Sequence, residues 1–282
     1  MSVDPFWKIQ NMYPEFHRVE KKVADYILSH QSDIAHQTAA EIAANSGVAA
    51  GSVVRFSKVI GYSGFSEMRL AFAKYQPVPG DKTIYATIGK DDPLPVLTEK
   101  VFQQSIDTLQ STLSMLSDAS MERAVDILAS AKRIVFFGIG SSSPLAQDSA
   151  YRFSRAGFPA EAIADPHIAR ITASMLSSDS AVVGISHTGR SAETVSAMTL
   201  AKKSGAKTIS VTSFLKSPLT ALCDVNLVIA SSETAVLNEA ISSRIAQIVV
   251  LDSLYVGLAM RKPEETAEKI LNMNRILEEM RI

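Results

Sequence analysis

Two short runs of glycine and hydroxyl side chains carry the most informative chemistry in the chain. Gly138-Ile139-Gly140-Ser141-Ser142-Ser143-Pro144 follows an apolar run and opens a helical pattern, and Ser186-His187-Thr188-Gly189-Arg190-Ser191 repeats the arrangement. A strand that turns directly into a helix gathers backbone N–H groups and hydroxyls at the helix N-terminus, where the helix dipole favours an anion. One such turn says little, because any tight strand-to-helix turn favours glycine. Two at one sheet edge, with the hydroxyls of Ser186, Thr188 and Ser191 in the second, point to the acceptor oxygens of a phosphate.

Other polar residues near these runs have two readings each. His187 sits inside the second run and either faces the bound anion's remainder or leans outward. His167, beside Asp165-Pro166, either lines the pocket or is structural, and Arg190 either contacts a ligand or partner or is a solvated cation. Glu233 and Glu239 could act as an acid or base, or open a helix and bond within the pocket. The five histidines and one cysteine show no metal-ligand spacing, and Ser186 next to His187 is not a triad arrangement. Cys223 has no thiol partner and reads as a partly buried structural residue.

A third group lies near the N-terminus. Ser52, Arg55 and Lys58 share one face of a predicted helix whose opposite face carries Val53, Phe56 and Ile60. Arginine can reach guanine or a phosphate, serine a phosphate or base edge, and lysine a phosphate. Around them Arg55, Lys58, Arg69 and Lys74 are opposed only by Glu67, a local excess of +3 in a chain whose formal net charge is −1.

The elements that must position these groups are set by periodicity and punctuation. Phe16, Val19, Val23, Tyr26 and Ile27 form a helical apolar stripe ending near Ser29, and Thr38-Ala39-Ala40-Glu41 is a capping box. Asn45-Ser46-Gly47 stops that short helix, and a second runs to about Ile60, where Gly61 ends it. Two short helices so separated match a helix-turn-helix. Breakers cluster at Gln76–Asp81 and Asp91–Pro95, and Thr98–Leu116 and Met121–Ser130 are helical patterns. From Arg133 onward, Arg133–Phe137, Ala160–Ile163, Ala181–Ile185, Lys207–Val211 and Val225–Ile229 read as strands. Helices between them open at Ser143-Pro144, Asp165-Pro166, Ser191 and Ser217-Pro218, and alternation of this kind implies a mostly parallel sheet covered on both faces. Ligands bind such sheets at the carboxyl ends of the strands. The expected division is residues 1–77, a linker at 78–97, and residues 98–282.

Composition bounds the rest. A chain of 282 residues with 46% apolar content can bury a core in each of two domains. Its longest apolar runs are too short for a membrane span, and residues 1–10 do not read as a secretion signal, so the cytoplasm is the expected location.

Residues 22–28, Ala40-Glu41-Ile42-Ala43, Gly47-Val48, the Ser52–Lys58 segment and Gly61-Tyr62-Ser63-Gly64-Phe65-Ser66-Glu67-Met68-Arg69 together resemble the DNA-binding domain of the RpiR family of bacterial regulators. One departure is the start of the recognition helix, where Ala49, Ala50 and Gly51 stand in place of the family's usual serine and glutamate. The two glycine-serine runs resemble the SIS domain of phosphosugar isomerases and their regulators, from about Arg133 to Met260. Carried over residue by residue, the resemblance implies that Ser141, Ser142, Ser186, Thr188 and Ser191, with His187 and Glu233, hold a phosphosugar. Ser243-Arg244-Ile245-Ala246-Gln247 resembles a helix segment usual in these regulators. The fold implied is an all-α helix-turn-helix domain joined to an α/β three-layer SIS-type domain. The expected partners are operator DNA, a phosphorylated sugar and further copies of the chain in a homodimer or homotetramer, with no metal or cofactor. Two other readings compete: a phosphosugar isomerase with a helical extension, which lacks an identified base beside the sugar, and a dinucleotide fold, which lacks the third glycine of that fingerprint.

Overall fold

In the computed structural model, hydrophobic stripes of the N-terminal segment close on one another as helices α1 (Pro5–Met12), α2 (Arg18–Ser29), α3 (Ala39–Ser46), α4 (Ala50–Val59) and α5 (Phe65–Lys74). The structure describes residues 5–13, 16–30, 33–74, 92–231 and 241–279. It divides into two compact units, Met1–Ser114 with Ala230–Ser242, and Met115–Ile229 with Ser243–Ile282.

Local chemistry sets the helix ends in the first unit. Glu41 N–H donates to Thr38 Oγ1 while Thr38 N–H donates to Glu41 Oε2 at 2.7 Å, so the capping box starts α3. Gly47 adopts φ +67° and ends it, with Val48 N–H returning to the Ala43 carbonyl. The buried face of α2 is Val23, Ala24 and Ile27. Val19 departs from the predicted stripe and is exposed, and Phe16 precedes the helix, yet Phe16 still reaches the core and meets Phe56 edge-on at 5.1 Å. Phe6 of α1 packs on Phe72 of α5 at 4.7 Å and closes the cluster. Helix α6 (Leu94–Met115) starts four residues earlier than its periodicity predicts. Pro95 reads as a breaker, but in a first turn its missing N–H costs nothing.

The second unit holds α7 (Asp118–Ser130), β1 (Arg133–Gly138), α8 (Ser143–Arg155), β2 (Ala160–Ile163), α9 (Pro166–Ser174) and β3 (Ser180–Ile185). It continues with α10 (Ala192–Lys203), β4 (Lys207–Thr212), α11 (Pro218–Leu222), β5 (Val225–Val228), α12 (Ile241–Ala259) and α13 (Pro263–Glu279). The five strands are parallel in the order β2-β1-β3-β4-β5. On one face Val135, Phe137 and Val182 pack with α9, α10 and α11. On the other, Phe136 meets Phe153 of α8, which in turn meets Tyr255 of α12. Strand order reverses between β1 and β3, and in a doubly wound sheet that switch point is where two strand-to-helix loops diverge and leave a crevice. Among the described residues no single helix is long and apolar enough to cross a membrane.

Candidate ligand and DNA sites

Both glycine-serine loops leave from the switch point. Gly138, the last residue of β1, is in register with Ile185, the last of β3, so the two loops start side by side. After Gly138 a 3-10 turn over Gly140–Ser142 leads straight into α8. A Cβ on Gly138 would lie 2.5 Å from the Ser142 carbonyl oxygen, so only glycine lets the chain double back this closely. Gly140 takes φ +60° in the same turn. Ser143, predicted as the cap of α8, is instead its first residue: the 3-10 turn over Gly140–Ser142 runs directly into the helix, which starts one residue earlier, and Ser142 occupies the cap position without a side-chain capping bond. Ser141 is exposed and Ser142 buried.

The second loop is tied from three sides. Ser186 is buried, its N–H donates to the Val211 carbonyl, and its own carbonyl accepts from Gly189 N–H at 3.1 Å. Gly189 takes φ +62°, and a Cβ there would collide with Ser217 Oγ. Thr188 Oγ1 accepts from Arg190 N–H. Ser191 accepts from Thr194 N–H and caps α10, so its hydroxyl already serves the helix start. The N-termini of α8 and α10 thus open at the carboxyl edge of adjacent strands, the arrangement that gathers donors around an anion.

His187 is fixed by residues far away in sequence. Its carbonyl accepts from Ser213 N–H at 2.9 Å and from Thr212 Oγ1 at 3.0 Å. Its Nδ1 lies 3.1 Å from Ser213 Oγ and 3.3 Å from Ser243 Oγ on α12. The ring meets Phe214 edge-on. Ser213 and Ser243 are therefore part of this neighbourhood, although neither is among the site residues expected from the sequence. Their signals were there: Ser213 directly follows β4, and Ser243 opens the Ser-Arg-Ile-Ala-Gln segment. His167 and Arg190 are exposed, and Asp165, beside His167, caps α9 through Ile168 N–H. Glu233 and Glu239 lie outside the described residues. Among the described residues no cluster of three His, Cys, Asp or Glu side chains could hold a metal.

In the first unit α3, the turn at Gly47 and α4 form the predicted helix-turn-helix. Val53, Phe56 and Ile60 are buried, while Arg55 and Lys58 are exposed and Ser52 is half-exposed beside them. Ala49 occupies the cap position of α4 and offers no side-chain bond, as the departure at that site implies. Glu67 caps the next helix by accepting from Ser63 N–H at 2.6 Å.

Known proteins agree with both units. Residues 6–77 match the helix-turn-helix domain of the rpiR family, and residues 127–257 match the SIS domain. An HTH-type transcriptional regulator of Thermotoga maritima is 32% identical over 97% of this chain and 98% of its own length. This chain belongs to the rpiR family of transcriptional regulators. A second HTH-type regulator, YbbH of Bacillus subtilis, is 32% identical to the rpiR-family chain over 97% of each. The Vibrio vulnificus NanR protein, solved in complex with ManNAc-6P, superposes with a TM-score of 0.65 at 28% identity, covering 98% of this chain and 99% of NanR. The sugar isomerase domain of an RpiR transcription factor from Sphaerobacter thermophilus shares the fold of the second unit, with a TM-score of 0.58 at 23% identity over 65% of this chain and 99% of that one. With whole-length relatives that are regulators, the rpiR-family chain is a transcription regulator rather than an isomerase.

Proposed function

We propose that this rpiR-family regulator binds operator DNA through α4 and that a phosphorylated sugar at the β1/β3 edge controls that binding. The observation that carries the ligand half is the register of Gly138 with Ile185, which starts two hydroxyl-rich loops and two helix N-termini side by side. Ser141, Ser142, Ser186 and Thr188 supply hydroxyls to the phosphate, while Ser191 holds the α10 N-terminus in place. His187 positions the loop through Ser213 and Ser243, and Glu233 is assigned to the sugar. NanR, similar over almost its whole length and solved with ManNAc-6P, supports a phosphosugar as the ligand class.

For the DNA half, Arg55 and Lys58 project from the exposed face of α4 and Ser52 accompanies them. A helix-turn-helix that reads a two-fold operator needs two copies at a fixed spacing, so the working unit is a homodimer or homotetramer. The ligand then acts by changing the spacing or freedom of the paired DNA-binding domains, which is coupling between two sites and must be reciprocal.

A thermal-shift screen tests the ligand class. The purified protein is heated with phosphorylated sugars, amino sugars and sugar acids, each beside its unphosphorylated counterpart. A ligand at roughly 100 times its Kd stabilises by about 2.7 kcal/mol. At least one phosphosugar raises Tm and is recovered unchanged, and its unphosphorylated form does not. Stabilisation by no phosphosugar, or conversion of the one that binds, contradicts the proposal.

A further inference from the structure

Gln247 stands one turn along α12 from Ser243 and is only 1% exposed, yet its amide Nε2 has no hydrogen-bond partner among the described residues. Taking such a donor out of water without an acceptor costs the full desolvation of the group, so protein interiors rarely keep one. Packing does not call for it. The next buried residues of α12, Val250, Leu251 and Leu254, are all apolar. A methionine would fill a similar volume there with no N–H to satisfy.

The run of the helix places that donor. At its start α12 lies at the carboxyl edge of the sheet, where Ser243 Oγ is 3.3 Å from His187 Nδ1. Near its end Leu258 shares a cavity wall with Ala131 and Pro159, which precede β1 and β2 at the amino edge. Residues four apart share a helix face, and helical side chains lean toward the N-terminus. Gln247 therefore lies on the face of Ser243 and reaches back toward the loop after β3. We infer that Gln247 Nε2 donates to an oxygen on the sugar portion of the phosphosugar, and so helps to decide which sugar is accepted. The loops after β1 and β3 already gather hydroxyls and helix N-termini for the phosphate. Gln247 comes from a third element, off those loops, on the side where the rest of the ligand extends. A buried donor left open for a substrate oxygen rejects sugars that place no acceptor there. The inference rests on the proposed phosphosugar site at the β1/β3 edge.

Gln247→Met in the full chain tests it through two readouts that a structural glutamine would move differently. Without ligand, Tm of the variant equals or exceeds that of the wild type, because an unanswered buried donor is gone. Calorimetric titration then uses the hexose 6-phosphates, N-acetylhexosamine 6-phosphates and pentose 5-phosphates of the thermal-shift panel. The Kd of whichever binds the wild type rises roughly tenfold in the variant. A glutamine bonded only within the protein gives the contrary pair: Tm falls by several degrees and Kd does not follow. Either a lowered Tm or an unchanged Kd overturns the role of Gln247 while the ligand class stands. A wild type that binds no sugar phosphate of the panel overturns the ligand class, and this inference with it.

Discussion

His187 Nδ1 lies 3.3 Å from Ser243 Oγ, joining the loop after β3 to the first turns of α12. In the proposed ligand site the histidine is a strut for the loop after β3. Ser243→Ala removes one hydrogen bond of this strut, and a net hydrogen bond contributes about 0.5–1.5 kcal/mol. Calorimetric titration with the stabilising phosphosugar should show an affinity several-fold lower, up to about tenfold, with Tm of the free protein lowered by about 2–4 °C per kcal/mol lost. His187→Ala, which also loses the Ser213 contact, should weaken binding further. Unaltered affinity in both variants removes the strut from the mechanism.

Separable damage to the two halves is the second expectation. Arg55→Ala should cost about 1–3 kcal/mol of operator affinity, and Lys58→Ala should lower the salt slope by about one charge. Both should leave phosphosugar binding intact. Ser186→Ala/Thr188→Val should do the reverse. Fluorescence anisotropy over a salt series, paired with calorimetry, reads both effects.

The start of α4 is a place to gain stability. Ala49 provides no capping oxygen. Ala49→Ser should add about 0.5–1 kcal/mol, and Thr38→Ala, which removes the cap of α3, should cost about 1 kcal/mol. Urea denaturation followed by circular dichroism measures each change.

Acid should weaken two helix starts in the first unit. The Thr38 backbone N–H and then its hydroxyl hold the Glu41 carboxyl below the ordinary value of 4.5, and the Ser63 hydroxyl and then its backbone N–H do so for Glu67. A lowered folded-state value means this stabilisation is fully present above 4.5 and is lost as pH falls through the lowered values. Melting temperatures between about pH 6 and about pH 3 should fall less steeply for Glu41→Gln than for the wild type. An identical slope contradicts the assignment.

Burial raises the Cys223 thiol to about 12, so native protein near neutral pH carries almost no thiolate there. An aromatic disulfide reagent should label Cys223 slowly in the native chain and at once in denaturant.

What was legible in the sequence was mostly local. Thr38, Glu41 and Gly47 fix the ends of α3 within a few residues of themselves, and the five apolar runs became the five strands. The buried trio Val53, Phe56 and Ile60 and the outward Arg55 and Lys58 are consequences of helical period alone. Both strand-to-helix turns could be located, because glycine and serine between an apolar run and a helical pattern mark a tight turn. Failures came where distant contacts or backbone freedom decide. His187 is held by residues 26 and 56 positions away, which no periodicity reveals. Val19 fits the apolar pattern of α2 yet is exposed, since Ala24 takes the inward position. Pro95 punctuates the sequence but not the helix, and Ser143 yields the cap position to Ser142 because Gly140 permits a further turn.

Operator affinity with and without the phosphosugar is the most direct test. An operator fragment is selected by the protein from random-sequence DNA, and its binding is followed by fluorescence anisotropy at fixed salt while the stabilising phosphosugar is titrated in. Allosteric coupling of 1–3 kcal/mol predicts a shift in Kd of roughly 5- to 150-fold, with the unphosphorylated sugar inert and the Ser186→Ala/Thr188→Val variant unresponsive. An operator Kd that stays constant at saturating phosphosugar would contradict ligand-controlled DNA binding.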